Sequence, residues 1–448
     1  MKCKKIIAGL LIFASLASIT ACNKSESTSL TSTSKANSDK NQLSGEITVW
    51  SYGSNAKALE VTGKEFTKKN PNVIVNVRDL NKEEFLKKLE NGSSSDEELP
   101  DVVTVEDNVL PELINKFPDR FVDLTKNMNA LKDKFVISKV NAVTVDEKMY
   151  AFPWNSVPLA LIYRRDFFSK ALVNAEDIKT WDEFIDAARK VQDANPGIKA
   201  INFNEAGDDT FFRELLNQQG SSYFDESRKS LLNSEEAIRA MSLIKDLVEE
   251  NVVLDTKNNN EIISAAKNGK VAVIPCTNEL VSIFISSNGG LQDLYGKWGV
   301  IPFPAFEAGG NLAASLEGSN IAVIKESKNQ KAAIAFSTFA ATDVKSIMYG
   351  FNRKNPYDES LGYGLFPSFI DVYKEPEFKK EIGYFQNQKV WKLLSDISSD
   401  TLKKNIKENA SEVSKYVIDA QSQIIFKNAD LKLTMTDLNK KITDIYRK

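Results

Sequence analysis

The chain has 448 residues, 42 % of them hydrophobic and 27 % charged, which is typical of a globular protein and long enough for two or three domains. Its 58 basic and 61 acidic residues give a formal charge of −3, so the basic surplus that nucleic-acid binding requires is missing and we expect no nucleic-acid partner. The sequence contains no histidine, which excludes Ser-His-Asp and Cys-His catalysis and histidine-containing zinc sites, and we predict neither a metal nor a cofactor.

The first 22 residues have the order of a secretion signal. Three lysines stand within the first five residues, an apolar run follows from residue 6 to about 18, and Ile-Thr-Ala-Cys closes the segment. This last stretch resembles the bacterial lipobox, in which the peptide is cut before the cysteine and the thiol receives a diacylglyceryl group. Residues 1–21 are therefore predicted to be a signal peptide and Cys22 a lipidation site. An uncleaved anchor is the alternative, but the apolar run is shorter than the roughly 18 residues that a spanning helix needs.

Residues 22–44 are predicted to be the lipidated cysteine followed by a flexible stalk. Ser, Thr, Asn and Lys dominate this stretch, and its few apolar residues cannot repay the entropy of ordering. A flexible chain of about 22 residues has a mean reach of about 25 Å, so the body can stand above the extracytoplasmic face of the cell membrane. Cys3 leaves with the signal peptide and Cys22 carries lipid, so only Cys276 remains and no internal disulfide can form.

The globular body opens with a predicted strand, helix and strand. Residues 46–52 read as a strand, a helix follows from about residue 57 and stops at Asn-Pro 70–71, and residues 73–77 read as the next strand. This βαβ spacing predicts a parallel sheet. Ligands bind beyond the carboxyl ends of strands in open α/β sheets, which makes four residues candidates for a binding site. They are Trp50, Tyr52, Ser54 and Asn55.

The same pattern then repeats. Residues 83–90 are predicted to be helical and residues 100–105 to be a strand. A second polar cluster follows the end of that strand: Glu106, Asp107 and Asn108. Residues 143–151 are predicted to form a hairpin that turns on Asp146 and Glu147.

A connection follows that hairpin and leads into a further strand, predicted at residues 159–163. Trp154 and Asn155 lie on this connection and are candidates for the wall of a ligand cleft, with Trp154 first and Tyr52 second as expected stacking surfaces for a sugar ring; core packing is the alternative. Thr-Trp-Asp-Glu at 180–183 is a capping box that predicts the start of a helix.

A second α/β region places more polar residues after strands. Residues 200–203 and 271–274 read as strands, and residues 298–305 are predicted to be extended because two prolines forbid a helix. A helix is predicted at about residues 330–341. The candidates that follow the two strands are Asp208, Asp209, Asn278 and Glu279.

Six stretches, taken in order, carry a resemblance to a known family. They are ITVWSYGS from residue 47, FTKKNPNVIVNV from 66, PDVVTVED from 100, EKMYAFPWNSVPLALIYRRDFF from 147, TWDEFIDAARKV from 180, and WGVIPFPAF from 298 followed by LEGSNIAVIKESKNQKAAIAF. Behind a lipobox, this order resembles the extracellular carbohydrate-binding lipoproteins of bacterial ABC importers, the maltodextrin-binding-protein-like group.

The resemblance implies an α/β, two-lobed periplasmic-binding-protein-like fold with a ligand cleft between lobes joined by hinge crossings. The expected crossings lie near residues 154–158, near 301–303 and after Ala341. Lobe 1 would comprise residues 45–154 with 302–342, and lobe 2 residues 155–301 with 343–448.

The resemblance also extends the set of expected ligand contacts. The loop before the SNIAV strand and a C-terminal helix that often supplies a stacking ring add four candidates: Glu317, Ser319, Asn320 and Trp391. Core packing is the alternative for Trp50 and Trp391. Ser51-Tyr52 stands where the family often has paired aromatic or histidine residues, so the identity of the sugar stays open.

The expected function is that of an extracytoplasmic receptor, without enzymatic activity, that binds a sugar or oligosaccharide and delivers it to the membrane subunits of an ABC permease. We expect a monomer tethered by its lipid anchor. A receptor for a non-sugar solute, such as a phosphorylated metabolite or a polyamine, is the alternative. A surface glycoside hydrolase would need two carboxylates roughly 5 to 10 Å apart, for which Glu106 with Glu279 or Glu317 could be imagined.

Overall fold

In the computed structural model, six stretches of the chain are described: residues 42–91, 99–225, 227–286, 290–357, 362–402 and 410–446. The predicted signal peptide, Cys22 and residues 23–41 of the predicted stalk lie outside them. Leu43–Lys448 forms one compact unit. Within the described stretches, no helix combines the length and the apolar character that a bilayer span requires.

Strands and helices alternate along most of this unit. The strands are β1 (Gly45–Ser51), β2 (Val73–Asp79), β3 (Val102–Glu106), β4 (Thr144–Val145), β5 (Lys148–Met149), β6 (Ala151–Pro153), β7 (Val157–Arg164), β8 (Lys199–Phe203), β9 (Val253–Asp255), β10 (Val271–Thr277), β11 (Trp298–Ile301), β12 (Ala314–Leu316) and β13 (Ser319–Val323). The helices are α1 (Gly53–Lys69), α2 (Lys82–Asn91), α3 (Leu110–Lys116), α4 (Thr125–Met128), α5 (Ile137–Ala142), α6 (Arg165–Lys170), α7 (Trp181–Ala194), α8 (Thr210–Gln218), α9 (Glu235–Glu249), α10 (Asn259–Lys267), α11 (Asn278–Ile285), α12 (Gln330–Thr342), α13 (Val344–Phe351), α14 (Pro376–Lys379), α15 (Val390–Asp400), α16 (Ala410–Phe426) and α17 (Leu431–Tyr446).

The first sheet has the strand order β2-β1-β3-β13-β6. β1 runs parallel to β2, with Gly45 opposite Val73, and parallel to β3. These pairings confirm the predicted βαβ unit. β13 lies antiparallel to both β3 and β6, so the sheet as a whole is mixed.

The second sheet has the strand order β11-β7-β10-β8-β9, and β12 also pairs with β7. β8 runs parallel to β10 and β9. β7 runs antiparallel to β10, β11 and β12. Cys276 lies in β10 and is a buried free thiol.

The chain passes between the two sheets at two places that matter for the site. Residues 154–156 join β6 of the first sheet to β7 of the second, within the range predicted for the first crossing. Residues 317–318 join β12 of the second sheet to β13 of the first. The sequence predicts the return near residues 301–303, whereas β12 still pairs with β7, so this passage between the sheets falls later in the chain.

Two local motifs confirm their sequence patterns. Asp146 and Glu147 have φ values of 48° and 65° and connect β4 to β5 as a two-residue hairpin turn, the geometry that left-handed backbone permits. At the start of α7, the backbone N–H of Glu183 donates to Thr180 Oγ1 (3.3 Å), and the backbone N–H of Thr180 donates to Glu183 Oε2 (3.0 Å). This reciprocal pair is the predicted capping box.

Apolar side chains on the inner faces of the sheets hold these elements in place. The Trp181 ring packs edge-on against Phe184, Phe211 and Phe303. Its indole N–H donates to Gln218 Oε1 at 3.1 Å, so its burial leaves no donor unpaired. Truncation of such a residue to Ala costs about 3–5 kcal/mol, which explains how this cluster can fix α7 and α8 on the second sheet.

Candidate functional site

A cavity of about 420 Å³ opens where strand ends of the two sheets face each other. It is lined by Ser54, Lys82, Glu106, Asn108, Asn155, Ser156, Val157, Arg213, Thr277, Asn278, Glu279, Leu316, Glu317, Tyr363, Gly364, Leu365 and Phe366. Both passages between the sheets contribute to this wall. The cavity therefore lies at the carboxyl ends of β3 and β10, where open α/β sheets bind ligands.

We call the side of the cavity formed by the first sheet and α2 the first wall, and the side formed by the second sheet and α8 the opposite wall. Glu106, the last residue of β3, holds a negative charge on the first wall. Its carboxylate accepts a hydrogen bond from Tyr52 Oη at 2.8 Å and from Lys82 Nζ at 2.8 Å to each oxygen. Burial raises the pKa of Tyr52, and the neighbouring charge of Glu106 raises it further, so the phenol stays a donor.

Arg213 on α8 holds a positive charge on the opposite wall. Its Nη1 donates to Glu317 Oε2 at 2.8 Å and its Nε donates to Asp209 Oδ1 at 3.2 Å, while Tyr223 Oη donates to Asp209 Oδ2. Burial acts to lower the pKa of Arg213, but the negative charges of Glu317 and of the Tyr223–Asp209 pair outweigh it and raise the pKa. This network connects α8 to the return passage.

Asp107 lies beneath the first wall and is engaged entirely by the protein. Its carboxylate pairs with the buried Lys139 ammonium, and it accepts hydrogen bonds from the backbone N–H of Gly318 (2.9 Å) and from Asn320 Nδ2 (2.8 Å). Burial lowers the pKa of Lys139, and the negative charge of Asp107 opposes that effect. We call these four residues the floor cluster. It holds Glu106 and Asn108, on either side of Asp107, at the cavity wall.

A second buried network joins the first passage to α1. Asn155 Nδ2 donates to Asn55 Oδ1 at 3.1 Å, Asn55 Nδ2 donates to Ser319 Oγ at 2.9 Å, and the backbone N–H of Ser319 donates to Asn155 Oδ1 at 2.7 Å. Each of these three side chains forms a hydrogen bond with another residue of the network. This arrangement suits stabilisation of the passage at residues 154–156 better than direct contact with a ligand.

The structure places the predicted polar site residues in the cavity lining, beside it, or, for Asp208, at the start of α8. Those that line the cavity are Ser54, Glu106, Asn108, Asn155, Asn278, Glu279 and Glu317. Those held by other protein groups beside it are Tyr52, Asn55, Asp107, Asp209, Ser319 and Asn320. Asp208 accepts from the backbone N–H of Thr210 at the start of α8. A ligand contact by any of them stays a prediction.

The three predicted tryptophans lie in hydrophobic clusters rather than in the cavity lining. Trp50, Trp154 and Trp391 are 2 %, 7 % and 6 % exposed. The Trp391 ring packs edge-on against Phe351 with ring centres 5.0 Å apart. Core packing, the alternative weighed for Trp50 and Trp391, describes their placement in this structure.

Several lining residues were not singled out by the sequence. Lys82 and Arg213 are surface-type residues of α2 and α8, and only their pairing with distant carboxylates marks them. Tyr363 and Phe366 supply the aromatic part of the lining. The backbone of Tyr363 is fixed by its N–H, which donates to the carbonyl oxygen of Gly350 at 2.9 Å.

The chemistry of the lining is that of a hydrogen-bonding site. Residues with carboxylate, amide and hydroxyl side chains line the cavity together with Tyr363. Among the described residues, no group of three or more carboxylate or thiol side chains is placed to hold a metal ion.

A comparison with protein families matches residues 51–345, about two thirds of the chain, to the family of bacterial extracellular solute-binding proteins. The lactose-binding protein of Rhizobium radiobacter is 27 % identical over 366 residues, which cover 79 % of this chain and 82 % of that protein. The arabinooligosaccharide-binding protein of Bacillus subtilis (strain 168) is 28 % identical over 312 residues, which cover 68 % and 69 %.

Solved structures show the same fold. The sugar-binding protein MalE of Xanthomonas citri superposes with a TM-score of 0.75 at 17 % identity, over 90 % of this chain and 97 % of that one. The ABC transporter associated binding protein of B. animalis subsp. lactis Bl-04, in complex with β-1,6-galactobiose, superposes with a TM-score of 0.67 at 24 % identity, over 90 % and 97 %. The predicted two-lobed α/β fold of the periplasmic-binding-protein type is confirmed.

Proposed function

The chain belongs to the family of bacterial extracellular solute-binding proteins, and from this premise we propose that it binds a sugar or oligosaccharide and delivers it to an ABC permease. The observation that carries the proposal is the cavity between the strand ends, with its carboxylates, amides and Tyr363. Sugar hydroxyls donate and accept hydrogen bonds, whereas ring faces are apolar, so such a lining suits both. The names of the relatives, receptors for lactose and for arabinooligosaccharides, point the same way.

The size of the cavity favours a short ligand. Its volume of about 420 Å³ lies in the lower part of the range of roughly 300–1,000 Å³ that is typical of small-ligand pockets. A longer oligosaccharide would have to extend out of the cavity at one end.

We propose the two lobes as residues 45–154 and 155 onward, with the return to lobe 1 at residues 317–318 rather than at 302. Ligand that contacts both walls favours the closed arrangement of the lobes through contacts that it alone completes. The proposal is supported by the position of both passages in the cavity wall.

The experiment that tests the function is a thermal-shift screen of the purified protein against neutral disaccharides and short oligosaccharides. A ligand present at 100 times its dissociation constant adds about 2.7 kcal/mol of apparent stability, which is readily detected. Small-angle scattering of the saturated sample should then give a smaller radius of gyration. Binding of phosphorylated metabolites or polyamines in place of sugars would support the non-sugar receptor, and reaction products after overnight incubation would support a hydrolase.

We propose that Cys22 carries the lipid that holds the protein at the extracytoplasmic face of the membrane. The proposal is supported by the lipobox-like sequence before it and by the Ser-rich stretch after it. Cys22→Ala should therefore release the protein into the soluble fraction. Retention of the variant in membranes washed with high salt, together with no acyl mass on the wild type, would contradict the lipid anchor.

Tyr363→Ala is expected to weaken sugar binding about 30-fold. The ring is the half-buried aromatic surface of the lining on which a sugar face can stack, and loss of about 80 Å² of contact at about 25 cal/mol per Å² costs about 2 kcal/mol. Isothermal titration calorimetry measures the change. Tyr363→Phe, which keeps the ring, is the matched control and should bind nearly as wild type does. Equal affinity of the Ala variant and the wild type would exclude stacking on Tyr363.

A further inference from the structure

The wall formed by the end of β10 and the start of α11 carries an acceptor that the protein leaves unused. Asn278 is 4 % exposed and lines the cavity. Its Nδ2 donates to the carbonyl oxygen of Gly364, while its Oδ1 receives no hydrogen bond from the described residues. A buried amide oxygen without a donor is unfavourable, so this wall offers acceptor rather than donor character next to the cavity.

A second unused acceptor lies on the opposite wall. Asn108 Oδ1 is buried without a hydrogen-bond partner among the described residues. Asn108 is the residue after Asp107, so the floor cluster that holds Asp107 also fixes the backbone of Asn108. Residues of both walls thus carry a buried acceptor that the described protein leaves unpaired, and neither residue adds positive charge to the lining.

One carboxylate of the lining has no cationic partner there. The two cations are already paired, Lys82 with Glu106 at 2.8 Å and Arg213 with Glu317 at 2.8 Å. Glu279 lines the cavity and is exposed, and its carboxylate has no ion pair or hydrogen bond within the described part of the chain. The lining therefore carries a surplus of negative charge.

The helix end next to Glu279 does not reverse this balance. The start of a helix carries partial positive charge and favours anions. At the start of α11, however, Thr277 Oγ1 accepts from the backbone N–H of Leu280 at 3.4 Å, and Glu279 itself stands in the first turn. The negative charge that this end attracts is already supplied by the protein.

We propose that the cavity selects uncharged or amine-bearing sugars over acidic ones, and that Glu279 is a specificity-determining residue. The inference rests on the proposed function and deepens it. A carboxylate or phosphate on the ligand would face the surplus negative charge of the lining and the unpaired carboxylate of Glu279, whereas hydroxyl and ammonium groups would not be repelled. Phosphorylated metabolites and uronic acids are thereby disfavoured.

The test uses matched pairs of probes on the full chain. Maltose, lactose and β-1,6-galactobiose are each compared, by calorimetry at low salt, with the counterpart whose non-reducing hexose is oxidised at C6 to the uronic acid. We expect the neutral member of a binding pair to bind at least about tenfold more tightly, which corresponds to about 1.4 kcal/mol. The ratio should shrink at high ionic strength because an exposed charge is screened.

Two variants assign the selectivity to Glu279. Glu279→Gln should reduce the ratio to about threefold or less, and Glu279→Lys should bring the acidic member level with or ahead of the neutral one. Because the Glu279 side chain is exposed, both variants should remain folded, and Glu279→Lys should unfold at a slightly lower urea concentration than wild type because it puts a positive charge in the first turn of α11. Glu307→Gln, which removes an exposed carboxylate outside the lining, should leave the ratio unchanged.

The outcomes separate this inference from the function on which it rests. Acidic probes that bind as tightly as neutral ones to the wild type would overturn the selectivity while supporting a sugar receptor. A ratio that survives in Glu279→Gln would overturn the role of Glu279. Binding of no sugar at all would count against the proposed function, and the inference would fall with it.

Discussion

Gly318→Ala is expected to lower the free energy of unfolding by about 3 kcal/mol and to weaken ligand binding as well. A Cβ at this position would lie 2.1 Å from the carbonyl oxygen of Asn155 and 2.9 Å from Lys139 Nζ. Neither neighbour can move freely, since the first is backbone of the other passage and the second is buried against Asp107. Overpacking costs about 1–3 kcal/mol, and backbone obstruction belongs at the upper end of that range.

The loss arises from a close approach of the two passages rather than from glycine's conformational freedom. Gly350→Ala, in α13, is the matched control. A Cβ at this position would lie 3.4 Å from the Cβ of Ala58 in α1, which is an ordinary contact. Alanine is preferred over glycine in helices by up to about 1 kcal/mol, so this variant should be as stable as wild type or more so. Urea unfolding compares the two, and a Gly318→Ala midpoint equal to that of wild type would contradict the close approach.

The strands were predictable because each is an apolar run bounded by turn residues. β1, β2 and β7 fall within two or three residues of their predicted bounds. The start of α1 was not predictable in this way, since the helix begins at Gly53 rather than near residue 57. Gly53 has a φ of 57°, and its N–H donates to Asp79 Oδ1 at 2.9 Å, a partner 26 residues away that no local pattern reveals.

Local sequence also placed candidate residues at the ends of β3 and β10, which border the cavity, but it could not tell which of them line it. Glu106, Asp107 and Asn108 are adjacent and all polar. Asp107 nevertheless lies beneath the wall, because its carboxylate pairs with Lys139 and accepts a hydrogen bond from the backbone N–H of Gly318. The ion pair of Arg213 with Glu317 likewise joins residues 104 positions apart. Which polar residue meets the cavity is decided by such distant partners.

The aromatic part of the site shows the same limit. Trp154 ends an apolar segment, which favoured it as a stacking surface, but the chain turns so that the indole joins the core. Tyr363 comes from a Gly-rich segment without regular secondary structure and reaches the lining because its backbone bonds to the end of α13. A loop position of this kind depends on tertiary contacts and carries no periodic signal.

Lys139→Met is expected to lower the free energy of unfolding by about 3–5 kcal/mol, the cost of leaving a buried charge without its partner. Lys139 and Asp107 are 4 % and 2 % exposed, so water cannot replace the lost ammonium. The two remaining donors to Asp107, from Gly318 and Asn320, do not neutralise its charge. Ligand affinity should fall too, because Glu106 and Asn108 are held in place through Asp107.

A double variant shows whether the unpaired charge is the cause. Asp107→Asn in the Lys139→Met background removes both charges, and the side-chain oxygen of an amide can still accept from the backbone N–H of Gly318. We therefore expect the double variant to recover about 2 kcal/mol relative to Lys139→Met alone, since a buried pair is far costlier to break than to replace. Lys325→Met breaks the exposed pair of Lys325 with Asp119 (2.7 Å) and should leave the urea midpoint unchanged. If the double variant is no more stable than Lys139→Met, the loss comes from packing of the lysine side chain, and the floor cluster does not act through its charges.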